Sequence, residues 1–136
     1  MFSHRTLIRV RYGETDQMGF LYYGNYAQYY EVGRVEALRS LGLSYAELES
    51  VHNILMPVRE MKIKYIKPAL YDELLTVETS IKTLAQKTIT FNVKIFGENG
   101  DLINRAQVVL CFIDADSKAL IEYPPLVLEQ LKSYFE

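Results

Sequence analysis

Asp16 is the side chain whose setting could support chemistry. It lies in Tyr12-Gly-Glu-Thr-Asp16-Gln-Met-Gly19-Phe-Leu-Tyr-Tyr23-Gly-Asn25-Tyr26, a glycine-punctuated loop that leads into a long apolar segment. A carboxylate beside the free N–H groups of a helix start suits acyl transfer. The carboxylate attacks an acyl carbon or activates water, and the N–H groups stabilise the oxyanion that develops. The competing structural role is that of a loop aspartate capping a turn or the helix start. Gly19 fits a turn that needs positive φ or a close backbone approach to a substrate.

The elements that must hold this loop are readable on either side of it. Residues 5–11 mix β-branched and charged side chains and predict an opening strand, and residues 12–24 form the loop. Residues 25–41 predict a helix, with Asn25 as N-cap and Gly42 just past the end. Tyr26, Tyr30, Gly33, Ala37 and Leu41 recur at helical spacing, and Ala27, Val35 and Leu38 widen that face, so burial on most sides is expected. Gly33 costs about 1 kcal/mol against alanine inside a helix, which points to another backbone passing close by. Ser44-Tyr-Ala-Glu47 is a capping box for a short second helix.

From Leu55 onward the pattern changes to strands. Val77, Thr79 and Ile81 alternate with Glu78 and Ser80, and Ile89, Phe91, Val93 and Ile95 alternate with Thr90, Asn92 and Lys94. Asn99-Gly100 marks a hairpin turn. Its second strand, Ile103 to Ile113, is apolar on both faces near its end, as for a central strand. Pro124-Pro125 closes the sheet, and Leu126 to Phe135 predicts a terminal helix. Helices and strands are segregated, so residues 1–136 predict a single α+β domain with a mainly antiparallel sheet.

Composition narrows the function. The 136 residues are 49% hydrophobic and 24% charged with a net charge of -2, which fits one globular domain with a sizeable core. Without a basic stripe or Arg-rich tail, a nucleic-acid partner is not expected. No run of about 18 apolar residues predicts a membrane span, and the N-terminus reads directly into a strand rather than a signal segment. Cys111, the one cysteine, falls in an apolar strand and predicts a buried thiol in a cytoplasmic protein. His4 and His52 do not share metal-ligand spacing with other donors. Neither a G-x-S-x-G elbow nor a dinucleotide fingerprint occurs, so no metal or cofactor is expected.

The order Y-x-x-T-D-x-x-G-x-x-Y-x-x-N-Y, the helix end Glu36-Ala-Leu-Arg-Ser-Leu-Gly42 and the segment Tyr65-Ile-Lys-Pro68-Ala-Leu-Tyr-Asp72-Glu-Leu together resemble the 4-hydroxybenzoyl-CoA thioesterase-like branch of the hotdog-fold acyl-CoA thioesterases. Within it they are most similar to the small enzymes associated with the bacterial Tol-Pal system. The resemblance implies a hotdog fold, an antiparallel sheet wrapped around the long helix. It also implies a homodimer, or a dimer-of-dimers tetramer, with sheets joined edge to edge.

It assigns Asp16 the role of nucleophile or general base on a thioester carbonyl, and the Tyr23 N–H, with that of Gly24, the role of oxyanion donor. The chain departs from the Tol-Pal pattern at Tyr23, where that branch carries a histidine; a backbone donor survives the change, a side-chain base does not. Most of Tyr22, Tyr23, Tyr26, Tyr29 and Tyr30 are expected in packing, with one or two lining an acyl pocket. Asn25 is either a cap or a substrate contact. Arg59, Lys62 and Lys64, with Lys67 nearby, would meet the phosphates of CoA or form a solvated strand surface. Glu31 and Arg34 are spaced to pair on the helix or across a dimer, and Glu31 stands in for Asp16 if the loop carboxylate is not the reacting group. The rival expectations are a thioesterase acting on an acyl carrier protein and a non-catalytic acyl-CoA-binding module.

Overall fold

Alternating apolar and polar residues build an antiparallel sheet whose apolar face must be covered, and the apolar helix covers it. The computed structural model describes residues 1–136. Its seven strands are β1 (Phe2–Arg9), β2 (Ile54–Leu55), β3 (Val58–Tyr65), β4 (Leu74–Ile81), β5 (Thr88–Phe96), β6 (Leu102–Asp114) and β7 (Leu120–Ile121). They run in the order β1-β4-β5-β6, and β6 also pairs with β2, β3 and β7. Every pairing is antiparallel. β6 is central as expected, with Val108, Leu110, Cys111 and Phe112 all buried. No helix is long and apolar enough to cross a membrane.

The main helix, α1 (Tyr26–Ser40), packs against β1, β4 and β5, and the sheet curves around it. Tyr29, Tyr30, Ala37 and Leu38 are at most 1% exposed. Burial of a leucine such as Leu38 contributes about 1.5–3 kcal/mol. Gly33 faces Val77 and Thr79 of β4, and a Cβ there would sit 2.8 Å from Val77 Cγ1 and 2.6 Å from Thr79 Oγ1. The close approach inferred from Gly33 is therefore to side chains of the sheet. Gly42 has φ +82° and its N–H donates to the Arg39 carbonyl, ending the helix as expected. Ser44 caps α2 (Tyr45–Ser50) by accepting the Glu47 N–H.

Three expected boundaries and contacts differ. The opening strand spans Phe2–Arg9 rather than 5–11. Phe2 pairs with Ile81 and packs edge-on against Tyr134, which extends the strand backwards, while Val10 leaves the ladder to donate to the Glu73 carbonyl. The terminal helix is α3 (Pro125–Leu131) followed by a 3₁₀ turn at Lys132–Phe135; it starts on proline because N1 has no need of an N–H donor. Arg34 does not pair with Glu31 on the helix. Its guanidinium, buried among packed residues, donates from Nε to Tyr45 Oη at 3.3 Å.

Candidate active site

The loop before α1 folds into a compact unit. The Asp16 N–H donates to the Phe20 carbonyl (2.9 Å) and the Gly19 N–H to the Asp16 carbonyl (3.0 Å). Asp16 Oδ1 accepts the N–H groups of Met18 (2.9 Å) and Phe20 (3.2 Å). Gly19 has φ +80°, a conformation glycine adopts without steric cost. Asp16 thus fills the turn-capping role with one oxygen, while Oδ2 makes no hydrogen bond and the residue remains half-buried.

A 3₁₀ turn, Tyr23–Asn25, joins this loop to α1. The N–H groups of Tyr23 and Gly24 donate to no backbone carbonyl, as expected at the start of a helical segment. Tyr65, the last residue of β3, donates its hydroxyl to the Tyr23 carbonyl at 3.0 Å. In a trans peptide the carbonyl and the following N–H point in opposite directions, so this bond fixes the orientation of the Gly24 N–H. Asn25 makes no cap with its side chain. Its Nδ2 instead donates to the Glu14 carbonyl at 2.9 Å, which ties the turn back to the loop.

Asp16 and Tyr23 border one cleft of about 310 Å³, together with Phe20, Tyr26, Tyr65 and Lys67. Its wall is mostly apolar and aromatic. The Tyr26 and Tyr65 rings meet edge to face with centroids 5.2 Å apart. Burial pushes the Tyr26 phenol above its ordinary pKa, and likewise that of Tyr65, so both stay neutral at physiological pH and cannot serve as bases there. Behind them the buried Tyr30 hydroxyl donates to Asn104 Oδ1, and the Asn104 amide nitrogen is buried without a partner.

The other expected site residues lie elsewhere. Tyr22 is exposed, with its ring 4.7 Å from that of Tyr23, and does not line the cleft. Gly24 leaves room for the Tyr22 ring, 2.9 Å from where a Cβ would stand. Arg59, Lys62 and Lys64 do not border the cleft. Lys62 and Lys64 point to the face of the sheet away from α1, because the pleat alternates and Ile63 between them packs on the core. There they join Lys82, Lys94 and Arg105 around a shallow depression of about 370 Å³. Of the expected cations only Lys67 reaches the cleft, and it pairs with Asp101 at 2.8 Å. Glu31 is exposed on α1, away from the cleft.

Two residues at the site had no functional role assigned from sequence. Tyr65 ends an edge strand, and its only local signal is the Lys-Pro that follows two residues later. Glu14 has both oxygens engaged: Oε1 accepts the Tyr29 hydroxyl (2.7 Å) and Arg11 Nε (3.0 Å), and Oε2 accepts Arg11 Nη2 (2.7 Å). The hydrogen bond from Arg11 leads in holding the Glu14 carboxyl below its ordinary range.

The arrangement matches known proteins along most of the chain. The profile of the thioesterase superfamily matches residues 18–104. The acyl-CoA thioester hydrolase YbgC of Escherichia coli is 31% identical over 107 residues, which cover 79% of each chain. The crystal structure of a DHNA-CoA thioesterase from Staphylococcus aureus superposes with a TM-score of 0.93 at 33% identity, over 99% of this chain and 92% of that one. A 4-hydroxybenzoyl-CoA thioesterase solved with 4-hydroxybenzoyl-CoA shares the fold, with a TM-score of 0.86 at 23% identity and coverage of 96% and 99%. The chain has the hotdog fold and belongs to the thioesterase superfamily, whose members hydrolyse thioesters.

Proposed function

We propose that this thioester hydrolase cleaves acyl-CoA to the free acid and CoA, with Asp16 as the reacting carboxylate. The observation that carries the reading is the split environment of Asp16: Oδ1 is held by two N–H groups, and Oδ2 has no partner in a residue bordering an apolar cleft. Oδ2 either attacks the thioester carbon, giving a mixed anhydride that water hydrolyses, or takes a proton from the water that attacks. In both routes negative charge gathers on the carbonyl oxygen, where the Tyr23 and Gly24 N–H groups and the positive end of α1 stabilise it. One such donor is worth about 2.7–4 kcal/mol. Collapse of this oxyanion breaks the C–S bond, before the anhydride is hydrolysed in the first route, and the departing thiolate takes its proton from water or, in the second route, from Asp16.

Tyr23, Tyr26 and Tyr65 favour a flat aromatic acyl group over a long chain, since aromatic pairs contribute about 0.5–1.5 kcal/mol beyond their buried area. The similarity to a DHNA-CoA thioesterase supports that preference. CoA is favoured over an acyl carrier protein as the carrier, because Lys62 and Lys64, which a docking patch would need at the cleft mouth, lie on the other face of the sheet. The free edge of β3 is the surface through which two copies pair into a homodimer, alone or within a tetramer.

Asp16→Asn tests the reading with little risk to the fold, because the carboxamide oxygen can still accept the Met18 and Phe20 N–H groups. Thiol release from a panel of aromatic and straight-chain acyl-CoAs is expected from wild type, fastest on the aromatic esters. The Asn variant should lose at least about a hundredfold in kcat. Equal rates for both proteins would remove Asp16 from the reaction, and no turnover of any ester would remove the acyl-CoA assignment.

A further inference from the structure

Glu14 lies two residues before Asp16 and does not line the cleft, yet its partners lie on the segments that carry the reacting groups. Its backbone oxygen accepts the Tyr22 N–H (2.9 Å) and Asn25 Nδ2 (2.9 Å). Those two bonds bracket Tyr23 and Gly24, the two residues whose amides face the developing oxyanion. Its carboxylate reaches the other way, to Tyr29 Oη at 2.7 Å in the first turn of α1, and Tyr29 is itself 1% exposed. Arg11, at the end of the segment leaving β1, closes the carboxylate from the other side with two donors at 3.0 and 2.7 Å.

One residue therefore links four pieces: its carboxylate ties the Asp16 loop to the exit from β1 and to α1, and its backbone carbonyl ties the loop to the 3₁₀ turn. A carboxylate only 13% exposed is costly unless paired, and here three charge-assisted or hydroxyl donors satisfy it, each bond stronger than a neutral one. Arg11 donates to both carboxylate oxygens, so a glutamine in either orientation would turn its NH₂ group towards an Arg11 N–H, setting donor against donor. The loop also carries no other carboxylate that bridges it to α1.

We propose that Glu14 is the positioning residue of the site, setting the distance and angle between the Asp16 carboxylate and the Tyr23 and Gly24 amides. The proposal rests on Asp16 being the reacting group. Misplacing reacting groups by about 1 Å costs on the order of 10² in rate without weakening binding of the remote parts of a substrate. The loss of the clamp therefore falls on kcat and spares ground-state affinity.

The test compares wild type, Glu14→Gln, Tyr29→Phe and the double variant on the best acyl-CoA of the panel. Titration with a non-hydrolysable CoA thioether of the same acyl group gives Kd and the fraction of sites that bind. Glu14→Gln is expected to bind the thioether at full stoichiometry with Kd within about threefold of wild type, while kcat falls about a hundredfold. Tyr29→Phe keeps the Arg11 bonds and should lose about tenfold in kcat. The double variant should be no slower than Glu14→Gln, because both changes open the same clamp. If Glu14→Gln does not fold, Tyr29→Phe carries the test alone. Unchanged kcat in the variants, or a loss confined to Kd or to binding stoichiometry, overturns the proposal while wild-type turnover keeps the thioesterase reading. An inactive wild type overturns the reading and this proposal together.

Discussion

At Asp16 the two carboxylate oxygens have different surroundings, so that one shapes the loop and the other is left without a hydrogen bond for the role proposed above. The spacing of Asp16 and Gly19 announced the turn, since aspartate and glycine have distinct physical roles there. Glu14 gave no such signal. Its partners Asn25 and Tyr29 lie 11 and 15 residues away and become neighbours only once the loop folds back on α1. The hydrogen bond from Arg11, with further support from Tyr29, lowers the Glu14 pKa in the folded state. A depressed carboxyl pKa contributes stability above its unfolded value of about 4.3, and that contribution is lost as pH falls through the folded value. Urea unfolding of wild type and Glu14→Gln should therefore show wild type more stable at pH 7, with the gap closing below about pH 4. A gap that persists unchanged at pH 3 would mean that the charge of Glu14 is not what stabilises the loop.

Elements with a strong period were readable, and those whose ends depend on distant partners were not. β5 occupies 88–96 as its alternation predicted, and the turn at Asn99-Gly100 connects it to β6. β1 was misplaced because its N-terminal limit is set by Phe2 packing on Tyr134, at the far end of the chain. Lys62 and Lys64 of β3 read equally as CoA contacts or as a solvated strand surface, because alternation tells which residues share a face but not which face meets the cleft. Within α1, Gly33 was readable as a close approach, and the structure supplies the neighbour. Gly33→Ala would gain about 1 kcal/mol in helix propensity. Against that, the new methyl meets Val77 and Thr79, whose β-branched side chains cannot swing away cheaply, and overpacking of this kind costs about 1–3 kcal/mol. Calorimetry should show a lower Tm for Gly33→Ala; a higher Tm would show that α1 can lift from the sheet at little cost.

For the whole molecule the decisive feature is the edge formed by β3. Seven of its eight residues are exposed, among them Val58, Met61 and Tyr65, and its outer backbone groups face no strand of the same chain. A long edge of this kind is a template for a second strand. Light scattering at micromolar concentration should give twice the 15.8 kDa chain mass, or a multiple of that dimer. Met61→Asp, at a position 41% exposed in the single chain, should shift the mass towards one chain without lowering helix content. A wild type that stays at one chain mass would remove the edge as an assembly surface. The same strand ends in Tyr65, whose hydroxyl holds the Tyr23 carbonyl. Whatever steadies that edge also steadies the Gly24 amide, proposed above as an oxyanion donor. On serial dilution the turnover per chain should therefore decline before any unfolding is seen, so that the enzyme's own abundance acts as its activator.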